Sequence, residues 1–404
     1  MGEFTGHLPG STAYRRILIA LFCAGIATFA QLYSTQAVLP FIADGYGVTP
    51  ATAALSVSVA TGGLAIAVIA WSSVADRIGR VPAMGIGVIA ATLLGLGAPF
   101  APTLGIFLAS RLLEGVALGA VPAIALAYLA EEIDGRHTAS AAGSYIAGTT
   151  VGGLLGRLVA GPFGDWGQWR WGVFAVAVLC LISAALFIAL IPRARGFTPG
   201  RDRPHTGLPL WTKLARNLRD RRQLALYAQG FLLMGGFVAI YNYLGFRLLA
   251  PPFLLPLWAV SLLFLAYLAG TVASPRAGRL ASEHGRRVVL LGSVAIMAAG
   301  LALTLIDALW AVMVGLLVLT AGFFAAHSVA SGWAPVIADP AARSQAASLY
   351  YLGYYAGSSL FGWALGFAYT SAAWPGLVIG VLAMTALAAL LALTWLPRVV
   401  ESGS

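Results

Sequence analysis

Charge is what this sequence has least of. Only 9% of its 404 residues are Asp, Glu, Lys or Arg, against 60% hydrophobic, and the mean hydropathy is +0.87. A water-soluble domain wets its surface with about 25% charged residues, so a soluble globular fold is excluded. Cysteine is equally scarce. Cys23 and Cys180 both lie inside apolar runs, which reads as two buried thiols and not as a disulfide or metal site. There is no Gly-x-x-x-x-Gly-Lys-Ser/Thr loop and no polar stretch large enough for a nucleotide-binding domain, which argues against ATP-driven work. No Ser/His/Asp arrangement rises above chance, so neither an enzyme nor a cofactor is expected. The glycines show no three-residue period, which excludes a collagen-like chain.

Apolar runs are what the sequence has in abundance. A membrane-spanning helix needs about 20 largely apolar residues. Runs of that kind are predicted at 17–39, 51–74, 83–100, 105–130, 138–162, 171–192, 223–248, 256–275, 288–306, 309–336, 344–369 and 375–397. The 48 glycines suit such a bundle, because small residues let membrane helices approach closely. The first run is too long for a secretory signal and lacks a small-residue cleavage site. The polar stretch 193–222 divides the chain into an N-terminal half, 1–192, and a C-terminal half, 223–404, with six runs in each.

The net charge of +10 raises the question of a nucleic-acid partner, and its placement answers it. With both termini in the cytoplasm, 20 of the 24 Lys and Arg residues fall on the cytoplasmic side. The positive-inside rule then fixes the orientation, and the basic charge reads as topology with no nucleic acid implied. Within 193–222, Leu210, Trp211, Leu214 and Leu218 share one helical face against Lys213, Arg216, Arg219, Arg221 and Arg222. That is either an amphipathic helix on an anionic leaflet or a plain tether.

An internal repeat links the two halves. The stretch after the second run reads Ser72-Ser-Val-Ala-Asp76-Arg77-Ile-Gly79-Arg80, and that after the eighth Gly278-Arg-Leu-Ala-Ser282-Glu283-His-Gly285-Arg286-Arg287. Each opens on a small residue, has Gly seven positions on and Arg next, and the two lie 206 residues apart. The pattern resembles the signature loop of the major facilitator superfamily, with Ser72 in place of its usual opening Gly and Ser282 where an acid is common. The resemblance implies a conformational latch made by Asp76, Arg77, Gly79 and Arg80, with Glu283, Gly285 and Arg286 in the second copy.

The fourth run carries Arg111-Leu-Leu-Glu114-Gly115, similar to the superfamily's Arg-x-x-x-Gly element, which is linked to proton coupling. The fifth carries Gly148, Gly152, Gly153, Gly156, Arg157 and Gly161. This resembles the antiporter signature of the drug:proton antiporter branch, except that Gly153 stands where that branch usually has Pro. Gly230–Gly235 and Phe323–Ser331 are similar to the YnfM-like and arabinose-efflux-like group of bacterial inner-membrane transporters.

Ionisable groups inside a membrane are functional candidates by default. Glu114 is the one acid well inside a predicted run, three residues from Arg111 on the same helical face. The pair is either a proton exchanger or a permanent ion pair. The first run has Gln31 and Gln36 but no acid, so any coupling takes another route from antiporters that use one there. His327 is the next titratable candidate, against the commoner role of a satisfied structural group; no second ligand three or four residues away makes it a metal site. Tyr33, Gln36, Tyr145, Tyr241, Asn242 and Tyr243 are candidates for the substrate pocket, since they lie on the first, fifth and seventh runs, which by resemblance line the central cavity; Tyr351 and Tyr355, four apart on one helical face of the eleventh run, are candidates by that spacing. Packing and an interfacial belt are the competing explanation for such tyrosines.

The expectation is an all-α protein of twelve transmembrane helices in two pseudo-symmetric six-helix halves. It works in the bacterial inner membrane by alternating access, with protons as coupling ion, a small-molecule substrate, and a monomer sufficient for the architecture. Proton-coupled efflux of a drug-like or sugar-related compound is preferred. The alternatives are a transporter of organic anions held by Arg111 and Arg157, or a non-transporting scaffold or lipid-handling protein.

Overall fold

The computed structural model describes residues 4–197 and 209–398; within these the side chains of Ala139 and Leu210 lie outside the description. The first half holds α1 (Thr12–Leu32), α2 (Leu39–Tyr46), α3 (Pro50–Ile78), α4 (Arg80–Gly97), α5 (Leu104–Leu118), α6 (Pro122–Glu132), α7 (Thr138–Asp165) and α8 (Trp169–Leu190). A short α9 (Leu210–Arg219) follows. The second half holds α10 (Arg221–Leu248), α11 (Leu257–Leu262), α12 (Leu268–His284), α13 (Arg286–Leu303), α14 (Leu309–Ile337) and α15 (Arg343–Trp395). Among the described residues the sole β pairing is a single bridge between His7 and Ile133.

Ten of these stretches are long and apolar enough to cross a membrane. One of them contains α15, which breaks at Ala372–Ala373, where Ala373 takes φ 50°, and so supplies two spans. The 28-residue, glycine-rich α7 completes the twelve. The backbone shows why the spans break where they do. Pro122 lacks an N–H and its ring would strike the carbonyl of Leu118; α5 ends at Leu118 and α6 restarts with that proline in its first turn. The fourth run is therefore two helices, where the sequence predicted one. The two signature stretches are likewise more helical than expected. Ser72–Ile78 belongs to α3 and Gly278–His284 to α12, and each chain reversal is made by one glycine, Gly79 at φ 101° and Gly285 at φ 89°. A side chain is strained at such angles.

The chain forms two compact units, one of Met1–Gly47 with Val59–Pro204 and one of Val48–Ser58 with His205–Ser404. In the first, α1 lies against α7 almost backbone to backbone. A Cβ on Gly148, Gly152 or Gly156 would stand 2.2 Å from Phe22 O, 2.6 Å from Ile26 Cα or 2.5 Å from Ala30 O. In the second, α10 meets α15 in the same way, a Cβ on Gly357 falling 1.9 Å from Phe231 O. Lipid gives apolar helices no hydrophobic reason to associate, so contact this close supplies the packing energy. The amphipathic α9 docks on the turn before α15: the Asn217 amide donates to Ala342 O at 3.1 Å and Arg216 pairs with Asp339. Trp211 is left 79% exposed.

Candidate functional site

The first span ends early. α1 stops at Leu32, and Gln36–Val38 forms a separate helical turn before α2. A helix end leaves its last carbonyls without intrahelical donors, and inside a membrane they need another partner. Arg111, fully buried on α5, supplies it: its guanidinium donates to Gln31 O at 3.1 Å, Leu32 O at 2.7 Å and Ser34 Oγ at 3.4 Å. A cation is favoured at a helix C-terminus. Arg111 also makes an ion pair with Glu114, which accepts from the Gln31 amide at 3.3 Å. A buried ion pair recovers its desolvation cost only with added hydrogen bonds. Arg111 has these, whereas Glu114 Oε1 and Gln31 Oε1 are buried acceptors without a hydrogen bond among the described residues.

Arg157 of α7 grips the far side of the same break. It donates to Gln36 Oε1 at 2.7 Å and to Gly153 O at 2.5 Å, and its guanidinium lies 4.4 Å from the centre of the Tyr33 ring. The structure thus gathers Arg111, Glu114, Arg157, Tyr33 and Gln36 around residues 31–36. Tyr145 is elsewhere, in an apolar core with Tyr14 and Tyr128.

At the turn between α3 and α4, Arg80 pairs with Asp76 at 2.7 Å and bidentately with Glu131 at 3.0 and 3.2 Å. It also lies 4.1 Å from the centre of the Phe197 ring. Arg77 is exposed. The neighbouring Glu132, fully buried, accepts the backbone N–H groups of Arg195 and Gly196, both at 2.6 Å. Sequence reasoning missed Glu131 and Glu132. A signal was present, because two acids in the last turn of a helix oppose its dipole and so need a reason to be there. In the second copy Glu283 pairs with Arg279 on an exposed surface, beside Gly285 and a half-buried Arg286.

The second unit holds a cluster of rings. His327 Nδ1 lies 2.9 Å from the Tyr350 hydroxyl, and the imidazole stands 4.7 Å from the Tyr354 ring and 6.1 Å from that of Tyr351. Phe237 stacks on Phe323 at 4.0 Å, and Tyr241 shares a hydrogen bond with Thr320 at 2.8 Å. Tyr355 is buried and stands edge-on to Tyr354. Asn242 and Tyr243 form a separate contact: both donate to Gly362 O, at 3.1 and 3.2 Å, tying α10 to α15.

Comparison with known proteins bears on this arrangement. Residues 17–261 and 255–403 match the Major Facilitator Superfamily. The chain is 40% identical over 367 residues to the inner membrane transport protein YnfM of Escherichia coli (strain K12), covering 91% of this chain and 87% of that protein. It is 36% identical over 392 residues to an uncharacterized MFS-type transporter, YybF, of Bacillus subtilis (strain 168), covering 97% of this chain and 96% of the relative. A mutant of the nucleoside transporter NupG shares the fold, with a TM-score of 0.77 at 14% identity over 94% of this chain and all of that one. With a family match over nearly the whole chain and helices long enough to span a bilayer many times, the chain belongs to the Major Facilitator Superfamily of transporters.

Proposed function

We propose that this transporter exports small organic compounds across a bacterial inner membrane in exchange for protons, with Glu114 carrying the proton and both termini in the cytoplasm. The observation that carries the reading is the fully buried Arg111–Glu114 pair at the break in the first span. Arg111 keeps three neutral acceptors when Glu114 is protonated, so the carboxyl can take and lose a proton without stranding the cation. Protonation also turns one of two buried, unsatisfied acceptors into a donor. A pair whose sole task was to fasten helices would satisfy all of its oxygens.

The other assignments follow from the same geometry. Arg157, held by Gln36 and Gly153, fixes the α2-side edge of the break and presents Tyr33 to a substrate. The glycine contacts of α7 on α1 support the antiporter reading, because they let that interface shift without side chains interlocking. The inner-membrane placement is supported by the name of the Escherichia coli relative.

The test is thermal stabilisation of the purified protein by tetraphenylphosphonium, benzoate and galactose, with proton release recorded on adding whichever stabilises. Stabilisation by tetraphenylphosphonium or galactose, with proton release lost in Glu114→Gln, is the expected result. Stabilisation by benzoate alone, abolished in Arg157→Ala, makes the chain an organic-anion transporter instead.

A further inference from the structure

The ring cluster on α14 and α15 has features that packing leaves unused. Tyr350 is fully buried and its hydroxyl is spent on His327 Nδ1. At the next position, about 100° around the helix, Tyr351 is 43% exposed. Neither the Tyr351 hydroxyl nor His327 Nε2 makes a hydrogen bond among the described residues. The two belong to helices that carry almost no charge. α14 contains no Asp, Glu, Lys or Arg, and α15 contains only Arg343 at its first position. A polar atom at that depth costs free energy until something bonds to it.

We propose that this face, formed by His327, Tyr351 and Tyr354, binds uncharged planar aromatic compounds that carry a hydrogen-bonding group. The inference rests on the reading of the chain as a carrier of small organic compounds and names one class among them. Planarity follows from the walls. The Tyr351 ring stands at 71° to the imidazole and 68° to the Tyr354 ring, with centroids 6.1 and 6.2 Å apart. A flat ring laid on one of them meets another edge-on, the arrangement aromatic pairs prefer. Neutrality follows from the helices, because a charged ligand would find no counter-charge on either span and would bear its desolvation cost alone. The hydrogen bond follows from His327. When Tyr350 donates to Nδ1, Nε2 carries the proton and donates; when Nδ1 donates to Tyr350, Nε2 accepts. The imidazole therefore suits a ligand carbonyl or a ligand N–H.

The probe is aminonaphthalimide, a neutral, planar fluorophore with both carbonyl and N–H groups, titrated by fluorescence anisotropy against the detergent-solubilised protein. Saturable binding is expected, weakened about tenfold in Tyr351→Ala through the lost ring contact. His327→Phe keeps the ring, removes the hydrogen bond, and is expected to weaken binding about fivefold. Phe367→Ala, an exposed aromatic of the same helix outside the cluster, should bind as the unaltered protein does. Absence of saturable binding overturns the proposal. So does affinity in Tyr351→Ala and His327→Phe equal to that of the unaltered protein, or displacement of the probe by tetraphenylphosphonium at lower concentration than by naphthalimide itself. Binding is read at equilibrium and needs no proton exchange. Loss of coupling with binding intact therefore sinks the exporter reading alone, while coupling without binding sinks this one alone.

Discussion

Glu132 ties the start of the central segment to the end of α6, and removing its carboxylate should release that segment. Oε1 accepts two backbone N–H groups at 2.6 Å in a fully buried setting. Hydrogen bonds to a charged group are worth about 1.5–3 kcal/mol each, so Glu132→Ala forfeits about 3 kcal/mol even at the low end. That corresponds to roughly a hundredfold rise in the population in which residues 195–197 have come away. Arg195 is itself a trypsin site, and cleavage there tracks the open population when reclosing is fast. The assay is the rate of cleavage after Arg195, read by mass spectrometry of the fragments. Glu132→Gln keeps an acceptor oxygen but loses the charge, so it should fall between the two. A rise of less than about threefold in Glu132→Ala would refute the reasoning, and would show that the Phe197–Arg80 contact alone holds the segment.

Three further outcomes are expected. The Ala341 amide, and after it the Arg216 guanidinium, hold the Asp339 carboxyl below its ordinary range. A depressed value in the folded state means the bond contributes above the unfolded value of about 3.9 and is lost as pH falls through the folded one. Amide exchange in α9, corrected for intrinsic rates, should be slower in the unaltered protein than in Asp339→Asn at neutral pH, and the gap should close as the pH falls below the ordinary carboxylate range. Gly148→Ala should cost about 1–3 kcal/mol by overpacking and lower the melting temperature, since its Cβ meets backbone 2.2 Å away at Phe22 O; an unchanged melt would show that α1 and α7 give way freely. Arg247, which donates to Thr304 O, pairs with Asp307 at 3.0 Å and lies over Trp374 at 4.7 Å, should lower the melting temperature more as Arg247→Ala than Asp307→Asn does. That difference would come from the unsatisfied carbonyl and the lost ring contact, and equal losses would assign the effect to the ion pair alone.

Some parts of this molecule were readable from the chain and others were not, for physical reasons. The spans were, because a bilayer imposes a length and a polarity on each run. The proximity of Arg111 and Glu114 was too, since residues three apart on a helix share a face. The break in the first span was harder to see. Ser34, Thr35 and Gln36 are consecutive polar residues inside an apolar run, a mark of it, yet the reason for the break lies 80 residues away in the arginine that caps Gln31 O. Asn242 and Tyr243 were candidates for the pocket by residue type alone. Each bonds to a carbonyl 120 or 119 residues on and so links α10 to α15, and no periodicity encodes such a partner. Tyr145 is similar: residue type made it a candidate, and its place in a buried core that also holds Tyr14 and Tyr128 depends on the fold of the whole half. Glu132 was passed over because it falls just past the fourth predicted run, where an acid ordinarily meets water.

Export in exchange for protons requires Glu114 to change protonation while Arg111 stays where it is. Infrared difference spectroscopy of the purified protein between about pH 5 and about pH 9 measures this directly, since a protonated carboxyl and a carboxylate absorb apart and burial shifts the titration of such a group. Proton exchange at Glu114 predicts a carboxylic-acid band that disappears at high pH, disappears in Glu114→Gln, and changes when a stabilising ligand is added. A Glu114 carboxylate band constant across the whole range, with and without ligand, would make the pair a permanent strut and rule out proton exchange there.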